Sequence, residues 1–162
     1  RLSEYYNISQ SNVHAYVFGE HGDSSFIPWS VANISNVPIS KCNELISLPG
    51  MESPALNFDE IEQYVRKSGG RVIARKGATF YAVSISVCHI CKCLLAGIDT
   101  TMTVSTMMHG EYGIDDVCLS TLNLVGHDGI RGKVNVPLTD EETAKLRFSA
   151  DTLKGVINSL NI

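Results

Sequence analysis

The spacing of apolar and polar residues changes several times along the chain, and each change marks an element. Residues 1–6 read as the last turns of a helix, and a loop runs from Asn7 to Asn12. Val13 to Phe18 form an apolar run that reads as a strand, and Gly19 to Ser25 is a polar loop at its end. From Trp29 to Val37 apolar and polar positions roughly alternate, which favours a half-exposed strand. Pro28 and Pro38 bracket it, as expected of a residue that resists the interior of a sheet. Ile39 to Ile46 fits either a short strand or a helical turn. Leu48 to Ala55 holds two prolines and a glycine and reads as a loop.

Helical periodicity starts at Asn57, a good N-cap residue with Glu60 three positions on in capping-box spacing. Phe58, Ile61, Val65, Val72 and Ile73 approximate a helical stripe. Gly69-Gly70 interrupts it, at about 1 kcal/mol per glycine relative to alanine. The run closes at Lys76-Gly77, a basic last turn followed by glycine. A second helix follows from Thr79 to Leu95, apolar on nearly every face and therefore expected at the centre of the fold. Thr101 to Met107, Val117 to Val125 and Ile130 to Val136 read as strands, with Gly126 to Gly129 as a turn, giving an antiparallel meander. Thr139 and Glu142 make a capping box for a last helix whose face is Leu146, Ala150, Leu153, Ile157 and Leu160. Neither an internal repeat nor a low-complexity segment is present. The fold class expected is α+β, with antiparallel sheet packed against long helices in one domain over 1–162.

Composition narrows the partners. The 162 residues are 44% hydrophobic, enough for a core in one domain. A net charge of −4 with scattered basic residues argues against a nucleic-acid groove or an anionic membrane surface. The basic stretches at Arg66-Lys67 and Arg71 to Lys76 read as a solvated helix face. The most apolar stretch, Phe80 to Ile98, is interrupted by Ser84, Ser86, His89 and Lys92, which marks a core helix and not a membrane span. Five cysteines, an odd number, with three of them close together, fit a reducing, cytoplasmic setting. Two sequons, at Asn7 and Asn33, then carry no meaning. The chain opens without methionine on what reads as the end of a helix, so it is expected to be a piece of a longer protein.

The candidate chemistry centres on His21, which stands between Gly19-Glu20 and Gly22 at the end of an apolar run. Histidine has an unperturbed pKa of about 6.5 and exchanges a proton near neutral pH. Glycine lets the backbone turn or lets a ligand approach. His21 is therefore the candidate general acid/base, set against the plainer reading of a loop histidine beside a turn. Asp23 is a poor partner for it, because two residues along a turn the side chains point apart. His109 and His127 read as structural and exposed, respectively, and His89 as facing a core or an interface. Cys88, His89, Cys91 and Cys93 lie within one apolar helix and lack a second pair of ligands, so buried free thiols are favoured over a zinc site. No Gly-x-Gly-x-x-Gly occurs, so nothing here cradles a dinucleotide phosphate.

Asn12-Val13-His14-Ala15-Tyr16, Gly19 to Ser25, Trp29 to Asn33, Lys76-Gly77-Ala78-Thr79, Val104-Ser105-Thr106, Tyr112-Gly113-Ile114 and Ser149 to Leu153 recur in order in one family. Over nearly its whole length the chain resembles the C-terminal, substrate-side domain of the L-lactate dehydrogenases, in the lactate/malate dehydrogenase superfamily. The resemblance implies reversible NAD-dependent hydride transfer between pyruvate and L-lactate. It implies that His21 donates or takes the proton, that Thr79 lies beside the substrate and that Val83 presses an apolar surface against the nicotinamide ring. His14 matches a position that helps bind fructose 1,6-bisphosphate in allosteric bacterial members, and it equally matches a subunit contact. The resemblance also implies homotetramers. It places the histidine's aspartate partner, the carboxylate-gripping arginine and the NAD-binding domain upstream of Arg1, so the 162 residues alone are expected to be inactive. Arg1 sits too few residues before the histidine loop to be that arginine. Two alternatives stay open: a malate dehydrogenase of the same superfamily, and a non-catalytic oligomerisation or effector-binding module.

Overall fold

A computed structural model describes residues 1–46 and 55–160. It is an α+β fold with two antiparallel three-stranded sheets and helices packed against them. The order is α1 (Leu2–Tyr6), β1 (Val13–His14), β2 (Asn33–Ile34), β3 (Val37–Pro38), α2 (Cys42–Leu45), α3 (Phe58–Arg66), α4 (Ser68–Lys76), α5 (Phe80–Leu95), β4 (Thr100–His109), β5 (Asp115–Gly126), β6 (Gly129–Lys133) and α6 (Asp140–Ser159).

The larger sheet is the expected meander, β4-β5-β6, with Thr100 opposite Val125 and Met107 opposite Cys118. Phe18, Phe26, Met108, Val117, Leu119 and Leu146 form its core. A second core under the small sheet joins Leu2, Tyr6, Ala32, Ile34, Ile39, Cys42 and Ile61. The capping box on α6 is present: Thr139 Oγ1 accepts the Glu142 N–H (3.2 Å), and Glu142 Oε2 accepts the Thr139 N–H (3.0 Å). Glu142 also accepts the Ser30 N–H at 2.9 Å and the Ser30 hydroxyl, which ties α6 to the first half of the chain. Burial raises the Glu142 pKa, but the hydrogen bonds its carboxyl makes with Ser30 and Thr139 outweigh it and hold it below its ordinary value.

Several sequence expectations are corrected. The strand expected over Val13 to Phe18 is split, because its two ends serve different partners. Val13 and His14 pair with β2, whereas Phe18 bridges Phe26 and Gly19 bridges Ser120 of β5. Trp29 to Val37 is not one strand but a turn followed by the β2-β3 hairpin. Ser35 and Asn36 both have positive φ (48° and 68°), the backbone a two-residue hairpin turn demands. Ile39 to Leu45 takes the helical alternative. The helix expected from Asn57 to Lys76 breaks at Lys67, ahead of Gly69-Gly70, which sit in the first turn of α4. Asn57 does cap α3, and Gly77, in the left-handed region at φ 79°, ends α4 as expected. The loop expected over Leu48 to Ala55 lies, apart from Ala55, outside the described residues.

The largest correction concerns α5. It was expected to be central, yet none of its residues is buried, and Tyr81, Ile85 and Leu95 are each more than 60% exposed. A helix apolar all round is buried only if neighbours cover it on every side. Here β5 covers one, where Ile90, Cys93 and Leu94 are half-buried. The buried-thiol reading falls with it: Cys88 and Cys91 are exposed, Cys93 is half-buried and only Cys42 is deeply buried, all as free thiols. His89 is likewise exposed, its Nε2 standing 3.7 Å from Cys93 Sγ. On α6, Leu146 and Ala150 are buried as expected, whereas Ile157 and Leu160 are about half exposed.

Glu111, in the β4-β5 connection, supplies a pH-dependent part of the stability. Its carboxylate accepts the His109 N–H at 2.6 Å and pairs with Lys133 Nζ at 3.0 Å. The His109 hydrogen bond leads the effects that take its pKa down to about 2. A carboxylate depressed in the folded state contributes stability above its unfolded value of 4.5, and loses it as pH falls through the folded one. Glu111→Gln is therefore expected to lower the urea midpoint at pH 7, with the gap to the parent narrowing progressively from about pH 5 towards pH 2. A constant gap across that range would show that the carboxylate charge contributes nothing.

Candidate functional site

The histidine loop is a closed excursion from the main core. Phe18 and Phe26 exchange both backbone hydrogen bonds (2.9 and 3.0 Å), so the chain leaves and re-enters at one point. Next to them Gly19 and Ser120 exchange another pair (3.0 and 2.9 Å), which welds the loop's base to β5. Both phenylalanines are buried, and their rings meet edge to face at 6.3 Å. The apolar residues that flank the polar loop thus anchor it, and the glycines within it make the turn.

Two helices then fix the loop from opposite ends. From α6, Ser149 Oγ accepts the Glu20 N–H at 2.7 Å. Ser24 Oγ donates to Glu20 Oε1 at 2.6 Å, and Ser25 Oγ donates to the Gly22 carbonyl at 2.8 Å. From α3, Arg66 Nε donates to the Ser25 carbonyl at 2.7 Å, and Glu62 Oε2 accepts the Ile27 N–H at 3.2 Å. Glu62 and Arg66 also pair with each other. None of these supports was foreseen. The visible signal for Ser149 was a serine on the apolar face of α6, between Leu146 and Leu153; the signal for Arg66 was a cation followed by a break in the helical stripe.

His21 emerges from this frame exposed to solvent, and among the described residues its ring makes no hydrogen bond. Asp23 makes no hydrogen bond to it. The ring borders a cleft of about 560 Å³, shared with Tyr16, Glu20, Asp23, Arg66, Gly69, Thr103 and Ser120. Arg66 and His21 are the residues lining it whose side chains can carry positive charge.

The other candidates lie elsewhere. Thr79 is the half-buried residue before α5, and its side chain makes no capping hydrogen bond. Its carbonyl accepts the Val83 N–H at 3.3 Å, which puts Val83 one helical turn on, 54% exposed. Neither residue lines the His21 cleft. His14 is exposed on β1, opposite Asn33 of the small sheet. Arg1 is paired with Glu4 at 2.6 Å, lies over the Tyr64 ring and does not line the His21 cleft. Among the described residues no helix is long and apolar enough to cross a membrane.

Known proteins share this fold and are similar in sequence over nearly the whole chain. The family model for the lactate/malate dehydrogenase alpha/beta C-terminal domain matches residues 1–161. The L-lactate dehydrogenase of Acetivibrio thermocellus is 39% identical over 162 residues, which cover 99% of this chain and 50% of that protein. The L-lactate dehydrogenase of Lactobacillus delbrueckii subsp. bulgaricus is 40% identical over 160 residues, or 98% of this chain and 50% of that protein. Among solved structures, a lactate dehydrogenase from a Medee basin deep-sea metagenome library superposes with a TM-score of 0.90 at 28% identity, covering 99% of this chain and 50% of its own. The L-lactate dehydrogenase of Clostridium thermocellum gives 0.85 at 34% identity, with 99% and 51% covered. The chain spans about half the length of the curated relatives it matches. It belongs to the lactate/malate dehydrogenase family and carries that family's alpha/beta C-terminal domain.

Proposed function

We propose that this domain supplies the proton-transfer part of an NAD-dependent L-lactate dehydrogenase, which interconverts pyruvate and L-lactate within a longer protein. The observation that carries the reading is His21: a ring with no hydrogen bond among the described residues, on a loop pinned at both ends, beside a cleft of about 560 Å³. In the reducing direction the imidazolium gives its proton to the ketone oxygen as that oxygen becomes an alcohol. In the oxidising direction the neutral ring takes the proton back. The cofactor, when bound, would supply the hydride as NADH in reduction and accept it as NAD⁺ in oxidation, with its dinucleotide part held outside these residues. Val83 fits the nicotinamide, because an exposed apolar side chain on the first turn of α5 offers the dry surface that hydride transfer needs. Thr79 beside the substrate, a cytoplasmic homotetramer, and His14 at a subunit contact or a fructose 1,6-bisphosphate site belong to the same reading.

The test is to express the reading frame that continues upstream of Arg1 and follow NADH absorbance with pyruvate and with oxaloacetate. Preference for pyruvate is the expected result. Preference for oxaloacetate would move the protein to the malate branch with the same role for His21. Turnover of neither would favour a non-catalytic module. The 162 residues alone are expected to give no measurable turnover, since the carboxylate-gripping arginine and the dinucleotide site are placed outside them.

A further inference from the structure

We infer that Ser149 is a positioning residue for His21, acting through the backbone of Glu20; the inference rests on the acid/base role proposed above. Ser149 lies on α6, 129 residues from Glu20, and is completely buried. Its Oγ accepts the Glu20 N–H at 2.7 Å and stands 3.0 Å from Ser24 Oγ. Ser24 Oγ is in turn 2.6 Å from Glu20 Oε1.

The proton count orders this cluster. The ionised carboxylate only accepts, so the single Ser24 proton goes to Glu20. Ser149 Oγ is also the second acceptor that the Ser24 hydroxyl faces, at 3.0 Å. Ser149 thus holds the residue immediately before His21 in two ways, its backbone N–H directly and its carboxylate by way of Ser24.

The helix end of this tie is itself rigid. Ser149 is flanked by Leu146 and Ala150, both in the main core, and the capping box fixes the helix start. Gly19 permits the approach: a Cβ there would stand 2.6 Å from Ser149 Oγ. The His21 ring has no hydrogen bond of its own among the described residues, so its place is set by the backbone that carries it. A proton donor must come within hydrogen-bond reach of the oxygen it serves. Misplacing it by about 1 Å can cost on the order of 10²-fold in rate.

The experiment uses the full-length enzyme with four variants: Ser149→Ala, Ser24→Ala, His21→Ala and the double variant Ser149→Ala/His21→Ala. Ser149→Ala is expected to lower kcat for pyruvate by about 10- to 100-fold, with a much smaller change in KM. Ser24→Ala leaves the buried hydroxyl in place and is expected to shift kcat the same way by less; it carries the test if Ser149→Ala does not fold. In the His21→Ala background the Ser149 change is expected to alter residual turnover by less than about twofold, because a positioning effect vanishes with the group positioned. Unchanged kcat in both serine variants would overturn the inference. So would an equal loss with and without His21, which marks a purely structural role. Full turnover by His21→Ala would overturn the acid/base reading itself, and this inference with it.

Discussion

His21→Ala in the full-length enzyme is expected to lower kcat/KM for pyruvate by about 10²- to 10⁴-fold, the range a positioned general acid contributes. In free energy this is about 3–5 kcal/mol of transition-state stabilisation. The argument runs through charge. As hydride reaches the carbonyl carbon, negative charge grows on the oxygen, and a proton donor within reach removes it at once. Alanine leaves only water to do so. The same substitution is expected to leave stability within about 0.5 kcal/mol, because His21 is exposed and its ring makes no hydrogen bond among the described residues. Activity and folding are therefore separable at this position, and urea unfolding of the variant is the control. The pH dependence gives a second readout. On the acid role proposed for His21, reduction needs the imidazolium, so pyruvate affinity in the parent is expected to fall as pH rises from about 6 to 9, and to be flatter in the variant. Parent affinity independent of pH over that range would remove His21 from the role.

What could be read from the sequence follows the range of the interactions. The meander and α6 were legible because a strand's period and a capping box are written within a few residues of each other. The histidine loop was legible because glycines and apolar anchors flank it directly. The run from Val13 to Phe18 misled, since a strand and an extended segment that changes partners halfway have the same local pattern. The α5 helix misled for a related reason. Apolar residues on all sides state that the helix is to be covered, but not that the cover lies within these 162 residues. Its three cysteines, expected buried, stand exposed or half-buried on the same account. The support of the loop was legible only by halves. A serine on the apolar face of α6 marks Ser149 locally, but its partner Glu20 lies 129 residues away and nothing local names it. Thr79 and Val83 show the converse: their motif is distinct in sequence, yet neither residue lines the cleft that His21 borders.

Gly19→Ala is expected to be the most damaging single-methyl change around the site, and two costs make it so. Gly19 sits at φ 99°, where an L side chain costs about 1–2 kcal/mol. Its new Cβ would also stand 2.6 Å from Ser149 Oγ and 3.2 Å from Ser149 Cβ. Ser149 is fully buried in a helix held by Leu146 and Ala150, so it cannot swing away into solvent. If the loop gives instead, the Glu20 N–H loses its acceptor, at about 1–3 kcal/mol for a donor left unsatisfied in the interior. The sum, about 2–5 kcal/mol, is a large part of the 5–15 kcal/mol that typically separates folded from unfolded domains. The double variant Gly19→Ala/Ser149→Ala separates the two costs. Removing Oγ relieves the contact but not the backbone strain, so the double variant is expected to be less destabilised than the sum of the singles. The measurement is urea unfolding of the four proteins. Strict additivity would mean that the Gly19–Ser149 approach carries no energy, and that backbone conformation alone requires the glycine. A substantial coupling would place the tie between the histidine loop and α6 at the point of closest approach, where added bulk pushes His21 off the cleft.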